Sequence, residues 1–307
     1  MSNWLENIKD DVNLAQLSLV GTHNSGCYHT SLPSVQCQGA SITDQLNNGV
    51  RFLDIRAGRP SLGGLGGLLG SSNPDDLQVI HGSFPARIPS AFPLEDALAE
   101  VYAWIASHPN ETVILSLKGE GQTWEKDDFA ELVWAKYLEK DQDKFYLGGQ
   151  IPKLGDVRGK IVLFRRFAIG GQDLLNKSHG MGIDAHWWNY NTTDDDRGTF
   201  AVQDYSEIKD PADVEKKLQY VEKMVKRSEQ YNSTSEAQQQ PKLFLNYTSG
   251  SNFWNPACWP YAVAKGFTEK LTNVVGKGSG ITIVDYAETD DWKFVKSVNG
   301  SNLDFKK

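Results

Sequence analysis

The sequence predicts an α/β fold built on a parallel sheet, either doubly wound or closed into a barrel. Eight short runs read as strands, and several are apolar on both parities, as strands covered on both faces are. Helical stripes lie between them, so strand and helix alternate along the chain. Titratable residues gather where the runs end. In a barrel, all of them would meet at one mouth.

The first run, 17–21 ("LSLVG"), stops at Gly21 and is followed at once by His23. The second, 51–56 ("RFLDIR"), closes on Asp54 and Arg56. A Gly-rich stretch with no helical pattern then leads to 77–81 ("LQVIH") and His81. "PLEDALAEVYAWIASH" (93–108) opens with Pro and acids and carries Leu94, Ala97, Leu98, Val101 and Ile105 on one stripe, which predicts a helix. The strand 112–118 ends at Lys118, and a helix is expected over 126–140. The strand 160–166 ends at Arg165 and Arg166, and 200–205 ends at Asp204 and Tyr205. A helix over 211–230 runs into a polar tract, 228–242, expected to be an exposed loop. Strand 242–248, helix 259–275 and strand 280–287, with Asp285 near its end, complete the pattern. No linker divides the chain, so one domain over residues 1–307 is expected.

With 39% hydrophobic and 23% charged residues, the chain reads as globular with a sizeable core. A net charge of −8 argues against nucleic acid as a partner, because that needs a basic face. Cys27, Cys37 and Cys258 are too few and scattered for a disulfide framework, although a Cys27–Cys37 bridge stays open. The first residues lack a secretory pattern, so a cytoplasmic location is slightly favoured, with secretion left open.

Two histidines, arginines, a lysine and several acids at strand ends suit phosphodiester cleavage. Two imidazoles divide general base from general acid. Guanidinium and ammonium groups stabilise an anion that gains charge in its transition state. Buried acids orient imidazoles. No acid cluster has the spacing of a two-metal phosphatase, and no Walker or dinucleotide motif appears.

"LVGTHNSG", "GVRFLDIRAG", "LQVIHGSF", "NETVILSLKGE", "DVRGKIVLFRRF", "LNYTSG" with "WNPACWPYA", and "ITIVDYA" resemble, in that order, the bacterial phosphatidylinositol-specific phospholipases C. The resemblance spans roughly residues 12–290 and implies a distorted (β/α)8 TIM barrel. It implies cleavage of phosphatidylinositol to diacylglycerol and inositol 1,2-cyclic phosphate. His23 would be the general base and His81 the general acid. Arg56 would bind the phosphate, Asp54 would support His81, and Asp285 would orient His23. Lys118, Arg166 and Asp204 match inositol ligands. Tyr205 matches a ring-stacking tyrosine with spacing one residue short. Asn24, expected among the substrate-binding residues, stands where the metal-independent bacterial enzymes carry Asp and calcium-dependent relatives carry Asn.

Eukaryotic relatives hold calcium with an acid where Arg56 stands. A guanidinium has no lone pair to offer, so a metal-independent enzyme with no cofactor is expected. A transient contact with a membrane surface is expected through the Gly/Leu loop with Leu65, Leu68 and Leu69 and through Trp254 and Trp259, with "HWWNY" (186–190) as a third element. A monomer is expected. The competing readings are a phosphodiesterase of this fold with another headgroup, a glycerophosphodiester phosphodiesterase, and a lipid-binding pseudoenzyme.

Overall fold

The computed structural model describes residues 1–59 and 76–307. Leu65, Leu68 and Leu69 therefore lie outside the described residues. The described strands are β1 (Leu19–Thr22), β2 (Phe52–Gly58), β3 (Gln78–His81), β4 (Phe84–Pro85), β5 (Val113–Gly119), β6 (Phe145–Tyr146), β7 (Ile161–Arg166), β8 (Ile183–Asp184), β9 (Asp195–Asp196), β10 (Phe200–Gln203), β11 (Leu243–Tyr247) and β12 (Ile281–Val284). Hydrogen bonding runs β6-β7-β5-β2-β1-β12-β11-β10-β9. Every neighbour pair from β7 to β10 along this path is parallel. β5 takes one edge of β7 over its whole length. β6 and β8 therefore share the other edge, at Ile161–Val162 and Phe164–Arg165. The sheet curls into a distorted α/β barrel.

Side-chain alternation divides the sheet into two packed faces. Phe52, Ile114, Val162, Phe164, Phe200, Val202, Leu243, Leu245, Ile281 and Ile283 form one cluster, the barrel interior. Their neighbours in sequence, among them Leu53, Ile55, Val113, Leu115, Ile161 and Leu163, pack outward with the helices. Those helices include α1 (Ile42–Asn47), α2 (Leu94–Ser107), α3 (Asp213–Asn232), α4 (Pro260–Val274) and α5 (Thr289–Gly300). Gly21 belongs to the interior face. A Cβ there would come within 2.8 Å of Phe52 Cδ1 and 3.0 Å of Ile283 Cγ1, so only glycine lets the three strands close at that level.

Three expectations change. The strand ending at His81 is not a parallel barrel strand: β3 runs antiparallel to β2 and forms a hairpin with β4. A parallel partner needs a crossover, and no helical pattern precedes this strand in sequence. The segment expected as one helix over 126–140 is an α-turn, Asp128–Leu132, then a wider π-type turn, Val133–Leu138, and a 3-10 turn, Glu139–Lys144. The polar tract over 228–242 is partly helical, because α3 continues to Asn232 and a single turn forms at Glu236–Gln239.

Candidate active site

The interior parity that carries the apolar layers carries the site at its C-terminal end. Phe52 and Asp54 lead to Arg56, Ile114 and Ser116 to Lys118, and Val162 and Phe164 to Arg166. Phe200 and Val202 lead to Asp204, Ile281 and Ile283 to Asp285, and Leu19 and Gly21 to His23. Each is two positions beyond a buried residue of the inward face, so the alternation of the strand points it inward. His81 arrives from the hairpin. Together they line a cleft of about 440 Å³ with Glu120, His186, Trp187, Trp188 and Tyr190 at its walls.

His23 Nδ1–H donates to Asp285 Oδ1 at 2.8 Å, which leaves Nε2 as the acceptor nitrogen. The Asn24 amide approaches that nitrogen through Nδ2 at 3.2 Å. His81 Nδ1–H donates to the Val35 carbonyl at 3.0 Å, so its Nε2 is free for chemistry. The two rings stand perpendicular, with centroids 5.6 Å apart. Burial, then Arg56, His81 and Lys118, push His23 well below the usual imidazole range. Burial and Arg56 lower His81, with Glu120 opposing.

Arg56 is held from both sides, by Asp54 Oδ2 at 3.0 Å and by Glu120 Oε1 at 3.0 Å. Burial disfavours its charge, but Asp54 and Glu120 outweigh this and keep the guanidinium firmly protonated. Glu120 also accepts from Lys118 Nζ at 2.6 Å and from the Gly82 backbone N–H at 2.9 Å. Burial raises the Glu120 carboxyl, yet Arg56 and Lys118 win and hold it far below the usual carboxylate range. Arg166 lies over the Trp188 ring, 3.6 Å from its centroid, and donates to the Tyr247 hydroxyl at 3.4 Å. Asp204 accepts from Trp188 Nε1 at 3.1 Å.

Three expected roles are corrected by this geometry. Asp54 does not support His81. It is fully buried two residues before Arg56 and grips that guanidinium, while the Val35 carbonyl holds His81. Asn24 does not line the cleft: it is fully buried, and its amide lies 3.2 Å from His23 Nε2. Tyr205 does not line it either. Its ring packs against Tyr220, 5.2 Å between centroids, and faces Lys216. Of the expected lipid contacts, Trp254 is 87% exposed, whereas Trp259 is half-buried and donates to the Phe253 carbonyl at 3.0 Å. Trp187 and Tyr190 of "HWWNY" are exposed at the cleft wall, but Trp188 is buried beneath Arg166. Cys27, Cys37 and Cys258 are buried free thiols.

Sequence reasoning missed Glu120, Tyr247, Trp188 and the Val35 carbonyl. Glu120 stands two residues after Lys118, and Tyr247 falls on the interior parity of β11, so both had a readable signal. A backbone carbonyl has none. Among the described residues, one group could hold a metal: His23, Cys37 and Asp285 each offer a ligand atom, all within 4.8 Å of one another.

The sequence model of the family described as phosphatidylinositol-specific phospholipase C, X domain, matches residues 14–167, half of the chain. A 1-phosphatidylinositol phosphodiesterase of Listeria monocytogenes is 27% identical over 97% of this chain and 85% of its own. A protein of the same name from Staphylococcus aureus is 26% identical over 93% of this chain and 88% of its own. The solved phosphatidylinositol-specific phospholipase C of Listeria monocytogenes superposes with a TM-score of 0.68 at 22% identity, over 98% of both chains. A Staphylococcus aureus structure solved to study membrane binding of the same type of enzyme gives 0.74 at 22% identity, over 98% and 97%. The chain belongs to the phosphatidylinositol-specific phospholipase C X-domain family.

Proposed function

We propose that this chain, as one catalytic domain, cleaves phosphatidylinositol without a metal ion, by attack of the inositol 2-hydroxyl on its own phosphate. His23 Nε2 takes the proton of the 2-hydroxyl while the oxygen of that hydroxyl bonds to phosphorus. The bond from phosphorus to the diacylglycerol oxygen breaks, and His81 Nε2–H delivers a proton to that oxygen. The products are diacylglycerol and inositol 1,2-cyclic phosphate. Nucleophile and phosphate share one ring, so the attack needs no captured water and little further ordering. Arg56 takes the charge that grows on the phosphoryl oxygens. Asp285 is a positioning residue that sets the His23 tautomer, and Asp54 and Glu120 position Arg56. Lys118, Arg166 and Asp204 bind the inositol hydroxyls.

The observation that carries this reading is the pair of perpendicular imidazoles, 5.6 Å apart, in one cleft with Arg56 acting on both. The donor set also speaks against calcium. A hard cation needs free carboxylate oxygens, and both acids near Arg56 are already bound to it. The membrane contact is assigned to the exposed aromatics Phe253 and Trp254.

The test is incubation with phosphatidylinositol vesicles in excess EDTA, followed by phosphorus NMR of the water-soluble product. A five-membered cyclic phosphate is expected, at an undiminished rate. A linear phosphate, or loss of activity in EDTA, overturns the mechanism. The place of Tyr205 outside the cleft favours one second reading, a different polar headgroup on the same scaffold. Failure of free myo-inositol to inhibit would select it.

A further inference from the structure

Asp285 presents an anomaly. Its Oδ1 accepts from His23, Oδ2 has no partner at hydrogen-bond distance among the described residues, and the Cys37 thiol is the side chain beside the carboxyl, although the residue is 5% exposed. A buried carboxylate oxygen left unpaired costs free energy, and such atoms commonly mark a missing ion or water. The Cys37 thiol completes a group of three with His23 and Asp285, each offering a ligand atom within 4.8 Å of the others and all buried. A set of imidazole nitrogen, thiolate sulfur and carboxylate oxygen suits zinc, whereas calcium and magnesium take oxygen ligands and have no use for the sulfur and nitrogen.

We propose that His23, Cys37 and Asp285 form a reversible site for a borderline-soft divalent cation of the zinc type, and that filling it switches the enzyme off. Tetrahedral zinc with these donors spaces its ligand atoms by about 3.3–3.6 Å. The His23 Nδ1–Asp285 Oδ1 pair, now 2.8 Å apart, has to open by about half an ångström, and the Cys37 sulfur has to come in from within 4.8 Å. Binding takes the thiol proton to solvent and shifts the His23 Nδ1 proton to Nε2, so one cation enters, Zn–S, Zn–N and Zn–O bonds form and one H⁺ leaves. Arg56 and Lys217 both act on Asp285, and their positive charge opposes a cation. Thiolate and carboxylate together supply two negative charges, so the filled site is neutral. His23 and Asp285 both line the cleft, from which a water would enter as fourth ligand. Inhibition follows because a ligated His23 has no lone pair for the substrate proton, a step that rests on the function proposed above. The site is distinct from any position at Arg56, whose acids are already paired.

The full chain is titrated with Co²⁺ and then with Zn²⁺ after EDTA is removed. Binding is read by the near-ultraviolet thiolate-to-Co²⁺ band and by calorimetry in buffers of different ionisation enthalpy. One ion per chain, a thiolate band displaced by Zn²⁺, and about one proton released per ion are expected. Cys37→Ser should abolish the band and weaken Zn²⁺ by at least about tenfold, while Cys27→Ser keeps both. Inhibition by Zn²⁺, scored against each variant's own metal-free rate, should weaken in parallel, and EDTA should restore the wild type. If the wild type shows no thiolate band, or if Cys27→Ser removes the band and Cys37→Ser does not, the proposal is wrong. The wild-type band needs no variant to fold. A chain that binds cobalt through Cys37 but leaves phosphatidylinositol uncut in EDTA keeps the site and refutes the function instead.

Discussion

Asp54 and Arg56, two residues apart on the inner face of β2, form a closed pair in which the carboxylate accepts from Nη2 at 3.0 Å and from Nε at 3.3 Å. Its other oxygen lies 3.6 Å from Arg166 Nη1, so one buried acid organises two cations of the cleft. Asp54→Asn keeps the shape and removes the charge. We expect kcat to fall by roughly 10–100-fold with a smaller change in KM, because Arg56 matters most when charge peaks on the phosphoryl oxygens. Arg56→Lys should cost more, about 10²–10³-fold, since an ammonium cannot reproduce the two-sided fork held by Asp54 and Glu120. Steady-state kinetics on both variants check the order. Equal loss in KM alone would show that Arg56 only binds.

His23→Ala and His81→Ala should each lower kcat by about 10²–10⁴-fold. The double variant should lose much less than the product of the two, because base and acid act in one proton-coupled step. A fully multiplicative loss would place the two imidazoles in separate steps. Asp285→Asn should act through His23, lowering kcat while leaving the affinity for headgroup analogues almost unchanged.

The pH profile follows from the two shifts. His23 must be neutral and His81 protonated. His23 is pushed well below 6.5, and His81 is lowered as well. Both conditions hold only between the two values, so kcat/KM should be a bell with its top on the acid side of about pH 6.5. A bound phosphodiester brings negative charge beside His81 and favours its imidazolium. The basic limb of kcat should therefore lie at higher pH than that of kcat/KM. Asn24→Asp puts a carboxylate about where the amide now sits, 3.2 Å from Nε2, and an opposite charge raises an imidazole. Its acidic limb should move toward neutral pH. An unmoved limb would show that His23 does not titrate in that limb.

How much of this was legible in the sequence differs from residue to residue. The strands and most site residues were readable because one rule, period-two alternation, serves both: Ile281 and Ile283 fill the barrel, and the same parity continues into Asp285. His81 was placed correctly at the cleft for the wrong reason, since it arrives on an antiparallel hairpin. The two-residue strands β6 and β8 carry no periodic signal at all and exist only because β7 leaves an edge to pair. The partner of Asp54 was misread because the order of residues along the chain says nothing about which cation or imidazole is nearest in space; it is Arg56. Asn24 and Tyr205 follow strand ends as the site residues do, but Asn24 is buried against His23 and the outward parity of Tyr205 packs it on Tyr220.

Away from the cleft, Arg51 and Glu111 test the scaffold alone. Both side chains are buried, and Arg51 Nε and Nη2 meet Glu111 Oε2 at 2.9 and 2.6 Å. Other guanidinium protons go to the carbonyls of Leu46 and Val50. Removing one partner strands the other charge in the interior. Glu111→Gln should therefore destabilise by about 3–5 kcal/mol, read by urea unfolding. Below the unfolding transition, its kcat and KM should match the wild type, since neither residue lines the cleft. A change in KM would mean that strain at this end of the barrel reaches the mouth.

Trp254 is the residue on which the lipid contact can be judged. Its ring is 87% exposed and meets Phe253 edge-on at 5.0 Å, and Phe253 in turn stacks on Phe84 at 5.2 Å. Phe84 lies in β4, beside His81 in the hairpin register, so this aromatic ridge is attached to the strand that carries the proposed acid. An acidic chain gains nothing from an anionic surface, which leaves apolar burial as the driving force. Burying an exposed indole contributes about 1.5–3 kcal/mol. Trp254→Ser should then lower partitioning onto phosphatidylcholine vesicles by roughly tenfold or more, as read by vesicle sedimentation, with little dependence on salt. Cleavage of phosphatidylinositol in those vesicles should fall with it, while cleavage of a water-soluble inositol phosphodiester stays unchanged, because Trp254 does not line the cleft. A fall on both substrates would make the tryptophan part of the cleft's support, and unchanged partitioning would move the lipid contact elsewhere on the rim.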